Sequence, residues 1–237
     1  MPFKKVVKGS NMYQDWITHT HTHLAGECLH KCSYCYVQRN LFGVIDRYQG
    51  APRIIKSELN VNYGSGNVIF IEHMNDLFGP EIKIEWITDI LKHCRKYENN
   101  TYVFQSKNPE RAYIFRDEFP AGCIFGTTIE TNRNTTEISR APKPIDRFYG
   151  IKKLKDFGMN VFITIEPIMD FDVQVLAEWI INVRPNFVNI GADSKGCDLS
   201  EPSAGRILRL IDALEMNSIV IKKKTNLGRI LKNIREE

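Results

Sequence analysis

Short apolar stretches alternate along this chain with segments of helical periodicity, and that alternation limits the fold more than any other feature. The strand-like runs are residues 16–19 (extending toward His23), 67–71, 101–105, 123–129, 161–165, 187–190 and 219–221, all short and rich in β-branched or aromatic residues. Between them, residues 82–96 carry Ile84, Ile87, Ile90 and Leu91 on one stripe, and residues 144–157 carry Phe148, Ile151 and Leu154, with Gly158 as a C-cap. Residues 173–183 and 202–216 also read as helices, the second with Pro202 in its first turn and Ser200 as N-cap. Strands alternating with helices specify βαβ units and a mainly parallel sheet. Six or seven such strands with near-continuous apolar cores suggest a barrel, complete or partial, with a doubly wound open sheet as the alternative. In either architecture ligands gather at the C-terminal ends of the strands.

A length of 237 residues fits one sizeable domain, with 43% hydrophobic and 25% charged residues and no low-complexity tract. No apolar run is long enough to cross a bilayer, and the opening MPFKKVVKGS lacks the apolar core of a secretory signal, so the expected location is cytoplasmic and away from membranes. The net charge of +4 permits an anionic partner without demanding one. Lys222, Lys223, Lys224, Arg229, Lys232 and Arg235 are expected to lie on a solvated, basic C-terminal helix.

Of the six cysteines, three crowd into Cys28-Leu-His-Lys-Cys32-Ser-Tyr-Cys35, directly after the first strand. In a long chain without a secretory signal, such crowding reads as metal or cluster ligation rather than a disulfide scaffold. Three thiolates on one tight loop can bind three irons of a cubane and leave the fourth open, and an open iron can chelate the amino and carboxylate groups of S-adenosylmethionine (SAM). The competing reading is a zinc site made of the three cysteines with His30 or His23. His19, His21 and His23 would share one face of a strand, as in metal-dependent hydrolases, but the later strands add only His73 and His93; otherwise they meet satisfied partners in the core. Cys94 and Cys123 are expected to be buried small hydrophobes.

The C-x3-C-x2-C spacing, with Tyr34 before the third cysteine, resembles the signature of the radical SAM superfamily. Later segments are similar to phage Gp37/Gp68-type radical SAM proteins and to spore photoproduct lyase: Ile69 to Phe78, Phe104 to Pro109, Gly126 to Glu130, Ile165 to Pro167, Ile190 to Ser194 and Ile219 to Lys222. The chain departs from the phage group in a shorter gap between the first two cysteines. The resemblance implies an α/β fold, a partial (β/α)6-type TIM barrel of mainly parallel strands. It would form one domain over 1–237, with its core at about 14–224 and the basic helix at 225–237. A [4Fe–4S] cluster on Cys28, Cys32 and Cys35 would cleave SAM with an electron from a donor such as flavodoxin or ferredoxin.

Polar residues at the strand ends supply the remaining candidates. Asn75, Asp76 and Glu130 could accept from the SAM ammonium or ribose, and Ser106 and Lys107 could meet its carboxylate. The resemblance places an adenine contact at Tyr36, beside Tyr34, while Glu166 could face SAM or substrate. Cys197, after the sixth strand, could donate a hydrogen atom to a product radical. The implied substrate is a nucleobase of DNA, such as a modified thymine, extruded into the barrel mouth. Radical rearrangement or epimerisation of an amino acid or peptide is the competing reaction, and a zinc or iron–sulfur binding module the non-enzyme alternative.

Overall fold

A computed structural model describes residues 3–7, 16–39, 43–193 and 195–232. Its main sheet contains β1 (Lys4–Lys5), β2 (His19–His21), β5 (Val68–Ile71), β6 (Thr101–Gln105), β7 (Ile124–Thr128), β8 (Asn160–Ile165), β9 (Phe187–Ile190) and β10 (Ile221–Lys223), hydrogen-bonded in that order. β1 is antiparallel to β2, and every later pair is parallel. The sheet ends at β1 and β10, so the barrel is partial. β3 (Leu24–Ala25) and β4 (Arg53–Ile54) form a small antiparallel sheet at the mouth.

Six helices accompany the strands among the described residues: α1 (Ile84–Arg95), α2 (Pro109–Ile114), α3 (Pro144–Asp156), α4 (Val173–Val183), α5 (Ala204–Met216) and α6 (Gly228–Leu231). No helix among the described residues is long and apolar enough to cross a membrane.

Strand periodicity divides the core in two. Ile69, Ile71, Phe104, Phe125, Ile163, Ile165, Val188 and Ile190 share one cluster with Ile87 and Leu91 of α1, Ile151 and Leu154 of α3, and Leu210 and Leu214 of α5. The alternate positions Phe70, Val103, Phe162 and Phe187 join Ile17 in a second cluster on the opposite face of the strands. Gly126 belongs to that inner face: a Cβ there would lie 2.2 Å from the Phe162 ring, so the missing side chain makes room for the aromatic.

The expected elements are present, with shifted limits. The first strand is displaced from 16–19 to His19–His21, and Trp16 precedes it, packed against Phe162 and Phe187. Helix α1 starts at Ile84, which is 64% exposed; the buried stripe is Ile87, Ile90, Leu91 and Cys94 instead. The N-cap of α5 is Ser203, not Ser200, which leaves Pro202 outside the first turn. The last strand begins at Ile221 because Ile219 N–H still bonds Leu214 O and closes α5. Lys222 and Lys223 therefore lie on a strand, and among the described residues the expected C-terminal helix is a 3-10 turn, Thr225–Leu227, followed by α6; residues 233–237 and Ser194 lie outside the described residues. Cys94 and Cys123 are buried, as expected.

Candidate cofactor-binding site

The cysteine loop leaves the barrel through β3 and is held there by main-chain geometry. Gly26 has φ +86°, and a Cβ would come within 2.2 Å of Ala51 O, so only glycine passes this point. Gly26 N–H and Glu27 N–H donate to Arg47 O and Gly50 O, both at 2.9 Å. On the far side, Ser33 N–H donates to Ile138 O (2.9 Å) and Arg140 N–H to His30 O (2.7 Å), so the segment between β7 and α3 clasps the loop.

Cys28, Cys32 and Cys35 are partly buried and carry free thiols. Burial pushes the Cys28 thiol well up, and Asp76 and the other two cysteines push it further. Three free cysteine sulfurs on one short loop are the donor type that holds an iron–sulfur cluster. Among the described residues, no three His, Cys, Asp or Glu side chains converge on one point that could hold a single metal ion.

Behind the loop stands a buried polar scaffold made of strand ends. Asp76, after β5, accepts from His30 Nε2 (2.9 Å), Ser106 Oγ (2.6 Å), Lys107 N–H (2.8 Å) and Phe78 N–H (2.9 Å). Burial raises its pKa, but His30, Ser106 and the Lys107 amide outweigh this and keep it ionised. Asn75 Nδ2 donates to Gly26 O at 3.0 Å. Glu130, after β7, accepts from the Tyr34 hydroxyl and, at 2.6 Å, from Arg147 Nη1 of α3. Lys107 Nζ lies 3.4 Å from Glu130 and 5.1 Å from the centre of the Tyr34 ring. Burial alone would raise Glu130; Arg147, Lys107 and the Tyr34 hydroxyl hold it down at about 2. Tyr36 donates from its hydroxyl to His73 O at 2.5 Å.

The structure thus brings Tyr34, Tyr36, Asn75, Asp76, Ser106, Lys107 and Glu130 together around the cysteine loop. Glu166 stands elsewhere on the mouth, paired with Lys224 Nζ and accepting from Asn226 Nδ2 at 3.2 Å; Gly191 leaves room for it, since a Cβ there would touch its carboxylate at 2.8 Å. Cys197 lies beyond β9, where its sulfur accepts from Arg39 Nη1 at 3.0 Å, and Arg39 N–H bonds Cys35 O. Sequence reasoning missed Arg147, Ser139, Lys224 and Asn226. A signal existed for Arg147 alone, since it precedes Ile151 and Leu154 on the buried stripe of α3.

The histidines are satisfied partners in the core. His21 bonds Tyr63 Oη (2.5 Å) and Glu58 (2.9 Å), while His23 bonds Glu72 through Nδ1 (2.8 Å) and meets His93 (2.9 Å) and Tyr63 (3.0 Å) at Nε2. His93 Nε2 in turn bonds Val61 O. With both ring nitrogens of each engaged, these residues do not present the open H-x-H pair of a hydrolase, and His23 is no spare zinc ligand. His30 gives Nε2 to Asp76.

Burial pushes His21 down to about 4 and His23 and His73 down to about 3. All three take up a proton more readily in the unfolded chain, so stability falls as pH drops below about 6.5. Glu72, raised to about 7 by burial, acts oppositely between about 4.5 and 7. Three imidazoles outweigh one carboxyl, and the midpoint of thermal unfolding of the cluster-free protein is expected to fall by roughly 10 °C between pH 7 and pH 4.5. Circular dichroism melts across that range check this, and a flat or rising midpoint contradicts neutral burial.

No protein-family profile and no curated protein sequence matches the chain. Its fold is the partial barrel found in radical SAM enzymes. Among solved structures it is similar to a spore photoproduct lyase variant, at a TM-score of 0.61 and 10% identity over 93% of this chain and 80% of that one. A second lyase variant, with bound AdoMet and dinucleoside spore photoproduct, gives a TM-score of 0.52 at 12% identity; 84% of this chain is covered, spanning 61% of that one. SuiB of Streptococcus suis, bound to S-adenosylmethionine, gives 0.54 at 11% identity over 84% of this chain and 48% of that one.

Proposed function

We propose that this chain is a radical SAM enzyme that holds a [4Fe–4S] cluster on Cys28, Cys32 and Cys35 and binds SAM beside it. The observation that carries the reading is the placement of three free, partly buried cysteines on a clasped loop at the C-terminal mouth of this particular barrel. When bound and reduced, the pair supplies a 5′-deoxyadenosyl radical that abstracts hydrogen from a substrate.

The chain's own residues divide the remaining work. Asn75, Asp76 and Ser106 have their polar atoms engaged in holding the loop, so they position it. Lys107 stays charged, because Cys32 and Glu130 offset its burial, and its side chain keeps 17% exposure. It is the cation suited to the SAM carboxylate. Tyr34 and Tyr36 wall the site from the loop side. Glu166, with Lys224 and Asn226, faces the substrate, and Cys197, tethered through Arg39 to Cys35, donates the returning hydrogen atom.

The substrate reading is a nucleobase of DNA. What supports it is the likeness to a lyase solved with a dinucleoside photoproduct. Small flavodoxin- or ferredoxin-type proteins are the proposed electron donors.

The test is anaerobic reconstitution with iron and sulfide, followed by SAM and dithionite. Wild type is expected to release 5′-deoxyadenosine, and the Cys28/Cys32/Cys35 triple alanine variant to lose at least a hundredfold of that release, about 2.7 kcal/mol in barrier. Equal release by both, or tightly bound zinc with none, rejects the reading. In the same assay, with single-stranded DNA as substrate, unchanged turnover by Cys197→Ala removes the hydrogen-donor role. DNA retention that does not weaken with added salt counts against the nucleic-acid substrate.

A further inference from the structure

Cys32 differs from its two companions in what meets its sulfur. Ser139 Oγ lies 3.1 Å from Cys32 Sγ, although the two residues are 107 positions apart. Ser139 is 4% exposed, and its hydroxyl already accepts from Ala141 N–H at 3.1 Å. Its single proton therefore has two possible acceptors, the sulfur and His30 O, which is farther away at 3.4 Å. In a free thiol either partner could donate. Once Cys32 is a thiolate, the sulfur can only accept, and the Ser139 proton belongs to it. The backbone around Ser139 leaves little room to turn away: Ser33 N–H to Ile138 O and Arg140 N–H to His30 O fix the segment against the loop on either side. The same sulfur lies in the field of two buried cations, Lys107 and Arg147, which are balanced by the single carboxylate of Glu130.

We infer that Ser139 is a positioning residue that sets the reduction potential of the cluster by donating a hydrogen bond to its Cys32 ligand. The inference rests on the radical SAM reading given above and deepens it. Adding an electron to a thiolate-ligated cluster places more negative charge on its sulfurs, so a donor to one of them stabilises the reduced state more than the oxidised state. Loss of the hydroxyl then makes the potential more negative and reduction harder. This assigns a task to the segment between β7 and α3 beyond gripping the loop: it carries the outer partner of a cluster ligand that the cysteine motif itself cannot supply.

The test is a potentiometric titration of the reconstituted protein, following the reduced cluster by electron paramagnetic resonance. At the wild-type midpoint, Ser139→Ala is expected to show a reduced-to-oxidised ratio about tenfold lower, equivalent to 59 mV for a one-electron couple. Ser139→Thr and Ser139→Val have the same shape and differ in the hydroxyl, so threonine is expected to stay near wild type and valine to follow alanine. Hydroxyl-free variants that hold the cluster at the wild-type potential, or that lose it altogether, overturn the tuning role while leaving the radical SAM reading intact. A wild-type protein that takes up no cluster overturns both.

Discussion

Arg147→Ala is expected to destabilise the protein by about 3–5 kcal/mol, measured by urea unfolding of the cluster-free chain. Among the described residues Arg147 is the largest fully buried side chain. Its Nε donates to Pro142 O at 2.7 Å, and its Nη1 donates to Thr128 O at 2.9 Å and to Glu130 at 2.6 Å. Alanine would leave the Glu130 carboxylate, which is 1% exposed, with Lys107 and the Tyr34 hydroxyl in place of its closest cation, and leave two carbonyls without this donor. A buried ion pair need not add net stability, but breaking one side of it leaves an uncompensated charge. Removing both charges in an Arg147→Met, Glu130→Gln double variant is therefore expected to recover at least half of the loss. A single-variant loss below about 1 kcal/mol would mean that Lys107 and the Tyr34 hydroxyl suffice for Glu130 or that it takes up a proton without penalty.

Asp76→Ala is the second large effect, and it reaches the site as well as the fold. One carboxylate collects four donors from three places: the cysteine loop (His30), the end of β6 (Ser106 and the Lys107 amide) and its own turn (the Phe78 amide). Alanine orphans all four in a position that is 7% exposed, and each orphaned donor costs about 1–3 kcal/mol unless it finds water. His30 lies between Cys28 and Cys32, so its release frees the segment that must present two ligands at once. The expected result is a stability loss of at least about 3 kcal/mol. Bound iron per chain after reconstitution should fall by more than half, read by iron and sulfide analysis. Full iron content at wild-type stability would show that the loop does not depend on this carboxylate.

These two residues also show where sequence reasoning stops. Asp76 was legible as a polar residue past an apolar strand, and the expectation was a ligand contact. The structure spends all of its acceptor capacity on the protein, a distinction that depends on the loop returning to meet it. Arg147 was legible only as a charge on the buried stripe of α3, and its place in the site was not. Its partner Glu130 is 17 positions away, and the pair forms because α3 packs back across the end of β7.

What the sequence by itself determined is local. Period-two and helical periodicities set the order of strands and helices, because each element must bury one face within a few residues of chain. The cysteine spacing likewise determined that three thiols share one loop. Residues 43–66 have neither period, and the bonds from Gly26 N–H and Glu27 N–H to the Arg47 and Gly50 carbonyls at the start of the loop were not legible. Only the tertiary structure decided which strand-end residues support the loop. It also decided that His21 and His23 close a hydrogen-bonded core network, and that Ser139 meets Cys32 across 107 positions. Such pairings arise from packing between distant segments, where geometry is fixed by the closed core and leaves no periodic trace in the chain.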